Sequence, residues 1–297
     1  MHVGFVGLGT MGGRMVHRLI GAGYTPVVYD RIPALIERLT EDGATAAASI
    51  GEVVDRVDVV LSSLPMPADV EAVYTGRDGA LDRARSGQVF ADLSTIDPAT
   101  ARRIAETLDG KGVAFLDAPV SGGQAGAEAG TLAIMVGGDA AALERIRPIL
   151  AAFSSRVFHV GPVGAGSVAK LANQLLVGAN TLAALEATAF AAKAGIAPAL
   201  LLEILSSSAG DSVMLRRNIR DFVLTGNFAP QFALRLLVKD LRLYQGEATS
   251  LGTATPSGET ALSEFERALA AGLGNEDYAA VLKIIAPELV SSTEPKT

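Results

Sequence analysis

The sequence predicts an α/β Rossmann-type doubly wound sheet followed by an all-α C-terminal domain, with a long interdomain helix joining the two. Three observations support this fold class. A glycine-rich turn lies between a strand and a helix at the N-terminus, strands alternate with helices through the first half, and alanine- and leucine-rich helical segments replace the strands after Gly161. We therefore expect a sheet domain over residues 1–162 and a helical domain over 163–297.

The first strand, His2 to Val6, runs directly into the turn Gly7-Leu8-Gly9-Thr10-Met11-Gly12, and helical character follows from Arg14. This arrangement is the strand, G-x-G-x-x-G, helix pattern of dinucleotide-binding folds. The first glycine permits the tight turn, the second lets the backbone approach a diphosphate, and the third lets helix and strand pack closely. A diphosphate at the helix N-terminus is the functional interpretation, and a glycine-rich turn without a ligand is the alternative.

The second strand, from Pro26 to Tyr29, ends at Asp30, which follows Gly9 by 21 residues. A carboxylate at this position accepts hydrogen bonds from the adenosine ribose hydroxyls and repels a 2′-phosphate, which favours NAD. Arg31 leaves NADP open, because a guanidinium beside the ribose can hold that phosphate.

The alternation of strands and helices continues along the first half of the chain. The predicted strands are 57–64, 89–93, 113–116 and 131–136, and the predicted helices are 33–41 and 98–108. Ligands of parallel sheets bind at the carboxyl ends of the strands, which places Leu64, Pro65 and Thr95 beside the cofactor. Thr95 is also a candidate N-cap of the following helix, and the two roles are compatible.

A further loop, Asp117-Ala118-Pro119-Val120-Ser121-Gly122-Gly123, ends the strand 113–116. Small residues with two adjacent glycines allow successive backbone N–H groups to point the same way and bind an anion. A carboxylate or a phosphate suits such a loop, with help from the Ser121 hydroxyl. An ordinary turn before the next strand is the alternative.

The second half contains six predicted helices, 167–193, 198–206, 213–224, 233–250, 256–271 and 276–289, and a tail from Ser291 to Thr297 that we expect to fray. Ser167 is a candidate N-cap of the first helix, and Lys170 and Asn173 share one of its faces. Lys170 is the only charged residue between Arg156 and Glu186. It is therefore either a lysine whose amine reaches water or a partly desolvated catalytic amine.

The stripe from Phe232 to Leu243 carries the pair Lys239-Asp240, which from the residues alone we interpret as a solvated helix face. Apolar surface on such helices is often buried between subunits, so we expect a homodimer or homotetramer.

Composition excludes several classes of function. The chain of 297 residues has a net charge of −7, contains no cysteine and has only three histidines without ligand spacing. Nucleic acid is thus not an expected partner, and neither a disulfide nor a metal site is expected. The sequence shows no run of about 18 apolar residues and no signal peptide, so we expect a cytoplasmic protein without a membrane partner.

Four motifs together resemble the β-hydroxyacid dehydrogenase family, which includes 3-hydroxyisobutyrate dehydrogenases and tartronate semialdehyde reductases, with 6-phosphogluconate dehydrogenase as a more distant relative. They are G-F-V-G-L-G-x-M-G at 4–12, D-A-P-V-S-G-G at 117–123, G-x-x-G-x-G-x-x-x-K-x-x-N at 161–173 and K-D-L at 239–241. The resemblance covers almost the whole chain in order and is strongest to the tartronate semialdehyde reductases, through 117–123, 130–132 and 170–174.

The resemblance implies an NAD(P)-dependent enzyme that interconverts a small β-hydroxyacid and its semialdehyde. It implies Lys170 as the general acid and base, Ser121, Gly122 and Gly123 as the loop that holds the substrate carboxylate, and Asn173, with Gln174 beside it, as the residue that orients the substrate. Thr95 and Lys239 match cofactor contacts, and Asp240 follows in the same motif.

Two alternatives remain open. One is a different reductase on the same scaffold, acting on glyoxylate, succinic semialdehyde or an imine, although imine reductases usually replace the lysine found at Lys170. The other is a non-catalytic cofactor-binding protein.

Overall fold

The computed structural model describes residues 1–291, so 292–297 of the tail that we expect to fray lie outside it. The chain divides after Lys170 into two compact units. In the described residues of the first unit, nine strands form one sheet: β1 (Val3–Val6), β2 (Val27–Tyr29), β3 (Thr45–Ala46), β4 (Val59–Ser62), β5 (Val89–Asp92), β6 (Ala114–Asp117), β7 (Val120–Ser121), β8 (Leu132–Gly137) and β9 (Ser154–Gly161).

The sheet is mostly parallel, as predicted. The order is β3-β2-β1-β4-β5-β6-β8-β7, with β9 paired to β8. The six strands β3-β2-β1-β4-β5-β6 are all parallel to one another, whereas β8 runs antiparallel to β6 and β7. The register pairs Asp92 with Asp117, so two carboxylates stand side by side at the carboxyl ends of β5 and β6.

Seven helices cover the sheet: α1 (Gly12–Gly21), α2 (Pro33–Glu41), α3 (Ile50–Arg56), α4 (Pro67–Tyr74), α5 (Pro98–Asp109), α6 (Gly123–Ala129) and α7 (Ala140–Leu150). Three of these helices, α3, α5 and α7, have a side-chain N-cap. The capping residues are Ser49, Asp97 and Asp139, and each side chain accepts a hydrogen bond from a backbone N–H in the first turn. The sequence prediction gave α1, α2 and α5 and did not include α3, α4, α6, α7 or the strands β3, β7 and β9.

Helix α8 (Ala165–Lys193) begins two residues earlier than predicted. It is the one helix of the described chain that is long and apolar enough, by length and composition, to cross a membrane. Core helices pass the same test, and Leu171, Leu182 and Leu185 of α8 are buried. We therefore describe α8 as a core helix.

The second unit is helical. After α8 follow α9 (Pro198–Ser206), α10 (Val213–Asn218), α11 (Leu234–Ser250), α12 (Pro256–Ala270), α13 (Leu282–Ile285) and α14 (Pro287–Ser291). The helices predicted over 213–224 and 276–289 are each divided in the structure. The first continues from α10 as a π-helical turn at Ile219–Val223, and the second is a 3₁₀ turn at Tyr278–Val281 followed by α13 and α14. Their apolar side chains, with those of α8, α11 and α12, form one buried core.

Candidate active site

The glycine-rich turn has the geometry that the sequence predicts. Gly7 has a φ of +90°, a conformation that favours glycine. A Cβ atom on Gly12 would collide with the carbonyl oxygen of Gly7, which explains the third glycine of the pattern. A Cβ on Gly9, by contrast, would meet no atom within 4 Å, and Gly9 and Thr10 are exposed. Space is therefore open on the side of Gly9 where a diphosphate would approach the backbone at the start of α1.

Asp30 binds the same turn through its side chain. Its Oδ2 accepts a hydrogen bond from the N–H of Leu8 at 2.7 Å, and its Oδ1 accepts one from the N–H of Ile32 at 2.9 Å. Each carboxylate oxygen has a second lone pair, so hydrogen bonds from ribose hydroxyls remain compatible with these contacts. Arg31 is exposed beside it.

A buried polar network lies beneath the carboxyl ends of β4 and β5. Asp92 Oδ1 accepts hydrogen bonds from the hydroxyls of Ser62 and Ser94, both at 2.6 Å. Tyr74 extends the network beyond Ser62, because the hydroxyls of these two residues are 2.8 Å apart. The N–H of Leu64 donates to the Ser94 hydroxyl at 2.8 Å. The network fixes the loop that contains Leu64 and Pro65.

Burial controls the titration of this network. Desolvation raises the pKa of Asp92 to about 6, and the nearby charge of Asp117 acts in the same direction. Desolvation also raises the pKa of Tyr74 well above its usual value. Thr95 lies just after the network and is half-buried, but it is not the N-cap of α5, because Asp97 holds that position and accepts the N–H of Thr100.

The loop after β6 divides into a buried beginning and an exposed end. Asp117 is 1% exposed, and burial raises its pKa. Ser121 is half-buried in β7, opposite Ala133 of β8. Gly122 and Gly123 are exposed with φ angles of +134° and +62°, two successive positive values that L-residues with side chains rarely adopt.

Lys170 lies in the first turns of α8 and is only 8% exposed. Ser167 is not the N-cap of this helix, since α8 already begins at Ala165. The cap is instead the side chain of Asp117, which accepts the N–H groups of Gly164 and Ser167, each at 2.7 Å. The first unit therefore contains the glycine turn, Asp30, the β4 and β5 loops, the Ser121–Gly123 loop and Lys170.

The remaining candidate residues lie in the second unit and form a chain of polar contacts. Asn173 donates to Gln174 Oε1 at 2.9 Å, and Gln174 donates to Asp240 Oδ2 at 2.6 Å. Lys239 Nζ is 2.7 Å from Asp240 Oδ1. The side chains of Lys239 and Asp240 are 12% and 1% exposed, so the predicted solvated face is wrong.

Sequence reasoning did not assign roles to two groups that the structure identifies. The first is the network around Asp92, and its signal was a carboxylate at the end of an apolar strand. The second is the capping of α8 by Asp117, for which the local sequence gives no signal because the bonded groups are 47 and 50 residues apart.

Two family descriptions match the chain in succession. Residues 2–161 match the NAD-binding domain of 6-phosphogluconate dehydrogenase, and residues 164–285 match the NAD-binding region of NADP-dependent 3-hydroxyisobutyrate dehydrogenase. Together they cover most of both compact units.

Individual relatives cover nearly the whole chain. A 2-(hydroxymethyl)glutarate dehydrogenase from Eubacterium barkeri is 37% identical over 95% of this chain and 94% of its own length. An NAD-dependent L-serine dehydrogenase from Pseudomonas aeruginosa is 38% identical over 96% and 98%. A 3-hydroxyisobutyrate dehydrogenase from the same organism is 38% identical over 95% and 97%.

Solved structures agree with this pattern. The 3-hydroxyisobutyrate dehydrogenase of Mycobacterium tuberculosis with L-serine has a TM-score of 0.87 and 32% identity, covering 96% of this chain and all of that one (100%). An imine reductase from Pseudomonas sp. has a TM-score of 0.63 at 22% identity, over 95% of this chain and 98% of its own, a likeness that shows a common fold and no more.

Proposed function

The chain belongs to the β-hydroxyacid dehydrogenase family and is an NAD(P)-dependent oxidoreductase, and from this premise we propose a substrate class. The substrates in the names of the three relatives share one skeleton, HOCH₂–CH(X)–COO⁻, in which X is a carboxyethyl, ammonium or methyl group. Glycerate, the reduced form of tartronate semialdehyde, is the same skeleton with a hydroxyl as X. The proposed reaction converts the primary alcohol of such a 3-hydroxyacid to the aldehyde, and back.

Lys170 is the proposed general acid and base. The observation that carries this role is a lysine only 8% exposed, near the start of α8. In the oxidising direction its neutral amine removes the hydroxyl proton, and in the reducing direction its ammonium stabilises the developing alkoxide and then protonates it. A nicotinamide cofactor, when bound, would supply the hydride chemistry.

The substrate carboxylate is the proposed ligand of Ser121, Gly122 and Gly123. The positive φ angles of the two glycines and their exposure support this role, since such turns present backbone N–H groups to anions. Asn173 and Gln174 follow Lys170 on α8, and Asn173 is the proposed orienting residue. Because the carboxylate is bound at a fixed place, the enzyme would select substrates by the distance between their carboxylate and their alcohol group.

The cofactor fits the glycine turn, because the open space at Gly9 lies at the N-terminus of a ten-residue helix. The proposed ligands of the diphosphate are the backbone N–H groups of residues 7–12. Asp30 is the proposed ligand of the adenosine ribose, which favours NAD, while the exposed Arg31 keeps NADP within the test. Further proposed cofactor contacts are Leu64, Pro65, Thr95, Lys239 and Asp240.

A panel of alcohols tests the proposal. Initial rates with NAD⁺ and NADP⁺ are compared for glycerate, 3-hydroxyisobutyrate, L-serine and 2-(hydroxymethyl)glutarate. Glycolate and 4-hydroxybutyrate, in which the alcohol is one carbon nearer and one carbon farther from the carboxylate, serve as controls. We expect kcat/KM to be at least about tenfold higher for one or more of the first four.

Preference for glycolate or 4-hydroxybutyrate would instead support a glyoxylate or succinic semialdehyde reductase. Reduction of a cyclic imine by NADH or NADPH, with no oxidation of any alcohol in the panel, would support an imine reductase. Cofactor binding without turnover of any compound would indicate the non-catalytic alternative.

The Lys170→Ala variant tests the role of the amine. We expect kcat to fall by about 100-fold or more, because both the proton donor and a positive charge at the alkoxide are removed. The dissociation constant for NADH, measured by the change in NADH fluorescence, should stay close to that of the unmodified protein. Near-normal turnover by this variant would contradict the assignment.

Self-association and location are further parts of the proposal. In the second unit, Leu176 and Phe190 of α8 are 58% and 77% exposed, a state that favours a homodimer or homotetramer. We also propose a cytoplasmic location, and a functional division into a cofactor domain of residues 1–162 and a substrate and oligomerisation domain of residues 163–297.

A further inference from the structure

Asp117 is a buried carboxylate for which the proposed function has no role. It is the last residue of β6, it is 1% exposed, and both of its oxygens accept short hydrogen bonds. Oδ1 accepts the N–H of Gly164 and Oδ2 accepts the N–H of Ser167, each at 2.7 Å. These two donors flank the beginning of α8 at Ala165.

The carboxylate replaces a local cap. The first N–H groups of any helix lack partners within the helix, and a negative charge near them is stabilised by the helix dipole. Charged acceptors also form stronger hydrogen bonds with backbone N–H groups than neutral ones do. The start of α8 is therefore held by Asp117 of strand β6, in addition to the local hydrogen bond from the N–H of Ala165 to the carbonyl of Pro162 at 3.0 Å.

The packing around this contact leaves no room for a side chain at Gly166 or Gly137. A Cβ on Gly166 would collide with the carbonyl oxygen of Met135, and its distance to the carbonyl oxygen of Asp117 would be 2.5 Å. A Cβ on Gly137 would collide with Asp117 Oδ1 and lie 2.8 Å from the N–H nitrogen of Gly166. The helix start is thus pressed against the ends of β6 and β8.

The same residue begins the loop that leads to Ser121. Directly after Asp117, the N–H of Ala118 donates to the carbonyl of Asp92 at 2.7 Å, and the N–H of Met135 donates to the carbonyl of Pro119 at 3.1 Å. On the helix side, Lys170 follows Ser167 by three residues, less than one turn. One side chain therefore joins the segment that contains Ser121 to the segment that contains Lys170.

We propose that Asp117 is a positioning residue, which sets the distance between the amine of Lys170 and the loop Ser121–Gly123. This inference rests on the proposed function, because it assumes that Lys170 transfers the proton and that the loop binds the carboxylate. Asp117 acts through Lys170. A displacement of about 1 Å at a reacting group costs about 100-fold in rate, so the anchor matters for turnover.

The Asp117→Asn variant tests the inference with little change in shape. Both oxygens of Asp117 accept from N–H donors, so an amide in either orientation places its NH₂ group against one of them. We expect kcat to fall by about tenfold or more, with an NADH dissociation constant within about twofold of the original. If this variant does not fold, Asp117→Ser replaces it, because its shorter side chain leaves room for a bridging water.

A double variant separates positioning from general damage. In the Lys170→Ala background we expect Asp117→Asn to lower the remaining kcat by less than about twofold, because the group that it positions is gone. If the loss of kcat in the double variant equals the product of the losses in the two single variants, the inference is overturned. Near-normal activity of Lys170→Ala alone would instead overturn the proposed function, so the two failures are distinguishable.

Hydrogen exchange supplies a readout that does not depend on activity. We expect the amides of 164–168 to exchange faster in Asp117→Asn, while amides of β1 and α1 stay protected. Asp139→Ala is the matched control, since Asp139 caps α7 through the N–H of Ala142 at 2.7 Å and α7 carries no candidate site residue. It should accelerate exchange at the start of α7 and leave kcat unchanged. Unaltered exchange at 164–168, or faster exchange throughout the first unit, would overturn the inference.

Discussion

Asp92 and Asp117 are register partners that use their carboxylates differently. The hydrogen bonds to the Asp92 carboxylate all end on Oδ1, and Oδ2 accepts none from the described residues. Asp117 receives one backbone N–H on each oxygen. An amide therefore fits the hydrogen-bond pattern at Asp92 but not at Asp117, and the two positions respond differently to the same substitution.

The Asp92→Asn variant is predicted to remove a pH dependence of stability. The pKa of Asp92 is raised from 3.8 to about 6 in the folded protein, so the folded state holds this proton more tightly than the unfolded state. The resulting stabilisation is complete below about pH 4 and is lost as the pH rises through about 6. A shift of about two pKa units corresponds to about 3 kcal/mol.

Urea unfolding of both proteins at about pH 4.5 and 7.5 measures this effect. We expect the free energy of unfolding of the variant, relative to the unmodified protein, to rise between the two pH values. Asp109→Asn, which removes an exposed carboxylate, controls for the loss of one negative charge. A relative stability that is the same at both pH values would show that Asp92 does not carry the effect.

At the scale of single residues, the sequence is a better guide to which residues are candidates for the site than to whether their side chains are buried. Lys170 was placed on an apolar helix because the neighbouring residues are all uncharged, and it is buried. The residues alone predict a solvated face for the pair Lys239-Asp240, and this prediction is wrong. Asp240 accepts a hydrogen bond from Gln174, which is 66 residues away in sequence, and no local pattern contains that contact.

At the scale of elements, the glycine turn before α1 offers a test of cofactor binding that is separate from folding. Gly9→Ala adds a methyl group where the structure has no atom within 4 Å, so the fold should tolerate it. The same methyl group occupies the space through which a diphosphate would approach the backbone. We expect the NADH dissociation constant to rise about tenfold or more, with an unchanged midpoint of thermal unfolding.

Gly21→Ala is the matched control, since Gly21 is the last residue of α1 and also has open space at its Cβ. It should bind NADH like the unmodified protein. Normal NADH binding by Gly9→Ala would place the cofactor elsewhere.

Helix α2 is predictable from a local signal and strand β9 is not, whereas α3 and α7 lie outside the prediction even though Ser49 and Asp139 are local N-caps. Helix α2 runs over Pro33–Glu41 as predicted, because proline in its first turn marks the beginning. Strand β9 was missed because most of its side chains, including Phe158 and Val160, are exposed, so it lacks the alternation of a half-buried strand. Its position depends on pairing with β8.

At the scale of the whole molecule, we predict self-association through one face of α8. Leu176, Ala183 and Phe190 are spaced seven residues apart, share one face of α8 and are exposed. We expect light scattering after size exclusion to give two or four times the chain mass of 30.5 kDa. The double variant Leu176→Glu, Phe190→Glu should reduce that mass, because charges on this face oppose burial.

Leu251→Glu provides the control, since Leu251 is a 65% exposed side chain at the end of α11. It should leave the mass unchanged. A monomeric unmodified protein, or a double variant with the unmodified mass, would exclude this face as the interface.

The junction of Asp117, Gly137 and Gly166 has a consequence for protein engineering. Residues 118–131 contain Ser121, Gly122 and Gly123, whereas the three junction residues lie outside that segment. A chimera can therefore take residues 118–131 from a homologue and keep the native anchor of α8. Such a chimera would separate the proposed carboxylate-binding loop from the proposed proton-transfer residue, so each could be exchanged on its own.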